Sequence, residues 1–183
     1  MPRARPAHRS ESDEVLYTAS RITPVRRADI EALEAKAAGN ARRRVRLCAH
    51  ESPASALHEM LIIHERDAYA RPHKHVGKGE SLHIVKGRVD LVLFTERGEI
   101  DEAIGLGDYA SGKTFYVRLD EPIFHTFVIR SDVLVFHETT QGPFDRSATA
   151  FAPWAPDGSD PRDVERYMTA LRERIDTLQS ATT

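Results

Sequence analysis

The chain has 183 residues, 40% of them hydrophobic, which suits one domain with a sizeable core and additions at its ends. Its 26 basic and 28 acidic residues give a net charge of −2, which argues against a nucleic acid or membrane partner held by bulk charge. A single cysteine, Cys48, excludes an internal disulfide, and no apolar run approaches the about 20 residues that span a bilayer. These features together predict a cytoplasmic protein.

Residues 1–20, rich in Arg, Pro and Ser, read as a disordered and dispensable leader. A domain over 21–156 follows, opening with a helix at about 29–38. There Asp29 is the expected N-cap, Ile30, Leu33 and Ala37 share a face, and Gly39-Asn40 stops the helix. The basic run "ARRRVR" at 41–46 reads as a solvated face, although Arg44 and Arg46 could reach an acidic ligand.

From about 57 to 150 the texture is β-rich: "LHEMLIIHE", "SLHIVKG", "RVDLVLF", "KTFYVRL", "IFHTFVIR" and "VLVFHETT", with turn residues between many of them. Short strands at this spacing predict an all-β, antiparallel sandwich or barrel. "FAPWAP" is stiff, and Trp154 should cover one barrel face. Residues 157–183 return to helix and tail. Asp160 caps, Pro161 takes the first turn, and Val164, Tyr167, Met168, Leu171, Ile175 and Leu178 form a packing stripe.

The chemistry concentrates in "RPHKHVGKGESLHIVKG" at 71–87. Residues i and i+2 of a strand share a face, so His73 and His75 point together and Lys74 points away. Glu80 is in phase with Leu82 and Ile84, toward the barrel interior, whereas His83 is out of phase and faces outward. Downstream, His125 is in phase with Ile123, Phe127 and Ile129. Inward imidazoles on apolar faces need partners, since an unpaired buried polar group costs about 1–3 kcal/mol. Sharing a divalent cation (Fe, Mn, Ni or Zn) among His73, His75, Glu80 and His125 provides them. An octahedral ion would keep two positions open. Lys78 and Lys86, near the turns, could draw anions toward that opening.

The spacing His-x-His, four residues, Glu, six residues, Gly matches the first cupin motif, and "DEPIFHTF" at 120–127 resembles the second. It lacks the glycine after the proline and the asparagine after the histidine. "ARRRVRLCAHESP", "EPIFH", "ETTQGPF" and "FAPWAP" further resemble the small WbuC-type cupin metalloproteins, often encoded with bacterial O-antigen or exopolysaccharide genes. The resemblance spans about residues 25–156. It implies a cupin-type antiparallel β-barrel (jelly roll) with flanking N- and C-terminal helices, a bound divalent metal and a homodimer.

Two functions stay open on these residues. One is a metal-dependent enzyme on a small polar or anionic metabolite, such as a sugar or sugar acid, of isomerase/epimerase or dioxygenase type. The other is a non-catalytic domain that binds or senses a small ligand through its metal. Glu121, close in sequence to His125, is a candidate general base, against its reading as an exposed loop carboxylate. His58, His64 and His83 read as strand-surface groups or as supports to the ligands. His50 and His137 have no assigned role, and either could hydrogen-bond a ligand and set its tautomer.

Overall fold

The computed structural model describes residues 8–181. Two β-sheets pack face to face. One holds β1 (His8–Ser10), β2 (Val15–Thr18), β3 (Arg44–Cys48), β4 (Leu57–Glu65), β6 (Glu80–Lys86), β9 (Tyr116–Leu119) and β11 (Val133–Gln141), in the order β1-β2-β3-β4-β11-β6-β9. The other holds β5 (His73–His75), β7 (Arg88–Phe94), β8 (Ile100–Gly107), β10 (Phe124–Ile129) and β12 (Thr149–Phe151), in the order β12-β5-β10-β7-β8. Two helices, α1 (Arg27–Ala38) and α2 (Pro161–Ala181), cover the outer faces. This is the sandwich that the strand spacing predicts, in the jelly-roll form with flanking helices that the resemblance implies. Among the described residues no helix is long and apolar enough to cross a membrane.

Side-chain phase explains the layers. Met60, Ile62, Leu82, Ile84, Leu134 and Phe136 from the first sheet meet Val89, Leu91, Leu93, Leu106 and Ile129 from the second in the central core. The alternate phase of the first sheet, Val45, Leu47, Ile63 and Val135, packs on Leu33 and Ala37 of α1. The alternate phase of the second, Val92, Phe94, Phe124 and Val128, packs on Met168, Leu171 and Ile175 of α2. Each of those three helix side chains contributes about 1.5–3 kcal/mol on burial. β7 is therefore apolar on both faces because both are covered.

Turn residues fit their positions. Gly87 adopts φ +95°, and a Cβ there would lie 2.4 Å from the Val133 carbonyl oxygen. Only glycine suits the turn that closes the first motif. Gly98, at φ +84°, lets Trp154 approach closely, and Trp154 packs on Phe94 at 5.0 Å between ring centroids. That is the barrel-covering position expected of it.

Two local expectations are corrected. α1 starts at Arg27, so Asp29 is not the cap. It lies in the first turn, where its carboxylate accepts the Arg26 amide at 2.8 Å, a reach-back that works from the third helical position. Part of the expected leader is ordered: β2 pairs in parallel with β3, Tyr17 enters the core and Leu16 packs beside α1. Local composition had no means of showing a pairing with a strand 30 residues away. Residues 1–7 of that leader lie outside the described residues. The basic run is a solvated face as expected, with Arg42, Arg43 and Arg46 exposed, and its arginines pair with nearby acids. Arg44 bonds Glu14 at 3.0 Å, Arg42 approaches the same carboxylate at 3.5 Å, and Arg43 pairs with Glu65 at 2.5 Å.

Candidate metal centre

The short strand β5 carries His73 and His75 on one face, with β10 on one side and β12 on the other. His125 stands directly opposite His73 in the β10 register, their ring centroids 4.6 Å apart. His75 is 5.0 Å from His73 and 6.0 Å from His125 on the same measure. One ring nitrogen from each of the three lies within 4.8 Å of the others. Glu80 enters from β6, across the barrel. Its Oε1 is 2.9 Å from His125 Nε2 and its Oε2 is 3.6 Å from His75 Nε2. The four side chains nominated from strand phase are brought together.

Backbone groups orient the rings. His73 Nδ1 donates to the Arg71 carbonyl at 2.9 Å and His125 Nδ1 to the Ile123 carbonyl at 3.0 Å, which turns each Nε2 toward the centre. His75 Nδ1 lies 3.3 Å from the Thr149 hydroxyl. These partners do the work that His50 or His137 was expected to do.

The electrostatics divide the set. Burial, then the neighbouring His125 charge, push His73 down to about 4, and burial also lowers His75. Burial works against a charge on His125 as well, but the bond to Glu80 and its negative charge outweigh it and raise the pKa. Burial likewise opposes the Glu80 carboxylate, and the surrounding imidazoles, His125 first, hold it ionised. Without an ion, the contact with Glu80 favours the charged forms of both His125 and Glu80, and burial favours the neutral forms of His73 and His75. A divalent ion fits this donor set: three nitrogens and one carboxylate, largely sheltered from water, with a proton to displace.

The lysines stay out of the centre. Lys74 pairs with Glu96 and lies over the Phe124 ring, and Lys78 donates to the Pro143 carbonyl at 2.5 Å. Lys86 binds Glu34 of α1 on the outer face at 2.6 Å, so it does not line the mouth as expected. His83 is exposed and faces outward, opposite His137 and Tyr116. His50 and His58 stack on each other at 4.1 Å between centroids, and the His50 Nδ1 accepts the Glu59 amide. His64 is buried against Phe136.

Glu121 is exposed in the turn before β10, where its backbone carbonyl accepts the Ile123 amide. The carboxyl group that faces the interior is Glu138, which sequence reasoning missed. On β11 it continues the inward phase of Leu134 and Phe136, with the core residues Leu82 and Met60 as its cross-strand neighbours. Burial first, and then the negative charge of Glu80, push its pKa up to about 8. It carries its proton at neutral pH. The signal was available in "LVFHE", where an acid follows two inward apolar residues at period 2.

A His-x-His strand faces a histidine on a neighbouring strand and a glutamate across a two-sheet jelly roll, the arrangement that the cupin resemblance implies. A family described as a domain of unknown function (DUF6016) matches residues 25–106. No curated protein matches the chain. Similar solved structures include protein SO0799 from Shewanella oneidensis, with 11% identity over 56% of this chain and 66% of that one, TM-score 0.46. Bacillus subtilis oxalate decarboxylase, described with Mn(II) centres, is 16% identical over 53% of this chain and 24% of its own, TM-score 0.42. Procruciferin, an 11S globulin from Brassica napus, is 8% identical over 52% and 23%, TM-score 0.43. The chain thus spans about a quarter of the latter two proteins.

Proposed function

We propose that this cupin is a metal-dependent enzyme acting on a small polar or anionic metabolite. Its ligands would be His73, His75, Glu80 and His125, and its ion Fe, Mn, Ni or Zn. The observation that carries the reading is the combination of that donor cluster with Glu138, a protonated carboxyl directed into the same interior. When bound, the ion supplies Lewis acidity toward a carbonyl or hydroxyl oxygen.

The chain's own residues supply the rest. The Arg71 and Ile123 carbonyls hold two rings in the tautomer that offers Nε2. Glu138, with a pKa of about 8, can give a proton to a developing oxyanion, and its minor ionised fraction at neutral pH can take one from carbon. Isomerisation or epimerisation of a sugar or sugar acid needs only these parts, so we favour it over oxygen insertion. The WbuC-like segments support a role beside bacterial surface polysaccharide synthesis, in the cytoplasm. We extend the proposal to a homodimer, for which the exposed Val85, Phe115 and Tyr116 at the β6–β9 edge offer an apolar surface. Sedimentation of the purified chain reads that directly.

The test of activity is a screen of sugar and sugar-acid derivatives with the metal-reconstituted protein, in parallel with Glu138→Gln. Turnover that Glu138→Gln abolishes supports the enzyme. Ligand binding without turnover, unchanged by Glu138→Gln, would replace it with a binding or sensing domain.

A further inference from the structure

A second site lies on the outer face of the second sheet, under the end of α2. There a cavity of about 250 Å³ is lined by Arg88, Asp90, Gly105, Lys113, Arg130 and Gln179. Asp90 and Gly105 are cross-strand partners in the β7–β8 register, and the missing side chain at Gly105 leaves the space open. A Cβ built there would sit 3.6 Å from Asp90 Oδ1 and 3.8 Å from Lys113 Nζ. Both groups therefore face the same void. The backbone of Gly105 requires no positive φ, so its lack of a side chain serves space rather than conformation.

The charges around the void are unequal. Asp90 is buried at 5% exposure, and its Oδ2 accepts Arg130 Nε at 2.6 Å. Arg130 also donates to Asp176 of α2 at 2.7 Å. Among the described residues, the side chains of Arg88 and Lys113 have no acidic partner. Two uncompensated cations and the edge of a third thus converge on a cavity large enough for a small metabolite. The other Asp90 oxygen, Oδ1, accepts Gln179 Nε2 at 3.4 Å, and it would repel a bare anion while accepting a hydroxyl.

The geometry points to a binding site for a small hydroxylated oxyanion, its phosphate or carboxylate on Lys113 and Arg88 and its hydroxyl on Asp90. The site stands apart from the histidine cluster: its residues come from the start of β7, the end of β8 and the loop after it (Lys113), the residue following β10 (Arg130) and the end of α2. Because Gln179 and Arg130 tie the cavity to α2, an occupant would also hold the last turns of that helix to the sheet.

Calorimetric titration of the full chain at low ionic strength, with glycerol 3-phosphate and with inorganic phosphate, tests this. The expected result is saturable binding of glycerol 3-phosphate, tighter than inorganic phosphate and weakened by salt. Lys113→Ala should weaken it about tenfold, the loss of one charge-assisted contact. Gly105→Ala, which meets its neighbours at ordinary contact distances and so folds, should weaken it by filling the void. Removing metal with EDTA should leave it unchanged. No saturable binding overturns the proposal. So does binding that Lys113→Ala and Gly105→Ala leave intact, or that EDTA removes, since the ligand would then sit elsewhere. Equal affinity for inorganic phosphate would overturn the role of Asp90.

Discussion

Glu80 Oε1 and His125 Nε2 meet at 2.9 Å, and this contact joins the two sheets through the barrel interior. Both side chains are almost fully buried. Removing either partner leaves the other without its counterion, and breaking a buried pair costs about 3–5 kcal/mol. In the metal-free protein, His125→Ala should therefore lower stability by about that amount, read from denaturant unfolding. An unchanged midpoint would mean that Glu80 finds water or another partner.

Glu138 is not among the four proposed ligands, so its role separates from metal retention. Glu138→Gln should keep the metal content of the wild type while losing turnover by at least about 100-fold, the scale of a general acid or base. Elemental analysis beside a single-turnover assay distinguishes the two effects. Loss of metal in this variant would make Glu138 a ligand instead.

His64 gives the fold an acid limit of its own, away from the metal cluster. Burial, then the charges of Arg44 and Arg42, hold its pKa down to about 3, and its Nδ1 has no hydrogen-bond partner among the described residues. The unfolded chain, with histidine at its ordinary value near 6.5, binds a proton that the folded chain refuses. The stabilisation is complete above pH about 6.5 and fades as pH falls toward 3. In His64→Leu this part of the pH dependence should vanish, flattening the stability curve between about pH 6 and 4. A curve parallel to that of the wild type would show that His64 is not the sensitive group.

Removing residues 1–18 should destabilise the protein, because β2 supplies Tyr17 to the core. Loss of a large core aromatic costs about 3–5 kcal/mol. In a chain of this size, about 3 kcal/mol corresponds to a fall of about 6–12 °C in Tm. Differential scanning calorimetry reads this directly, and an unchanged Tm would mean that β1 and β2 pair without contributing.

The cluster was legible because a strand's period of 2 assigns faces without knowledge of the fold. His73 with His75, Glu80 with Leu82, and His125 with Phe127 each announce their side. β11 obscured the same logic. Val133 and Val135 face α1 while Leu134 and Phe136 face the core, so both phases are apolar and alternation did not single out the interior. His137 lies on the outward phase and Glu138 on the inward one, a distinction that alternation alone does not draw. Glu121 is close in sequence to His125, yet a turn sends it to the surface. β2 was hidden for another reason: its four residues gain order only from β3.

The central claim is that these four side chains hold one metal ion per chain. Elemental analysis of protein purified without an affinity tag, then reconstituted anaerobically with Fe(II) or Mn(II), tests it most directly. The wild type and His83→Ala should each carry about one ion per chain, while His75→Ala and His125→Ala should be empty. A wild type that stays empty after reconstitution, or a His83→Ala as empty as His75→Ala, would contradict the assignment.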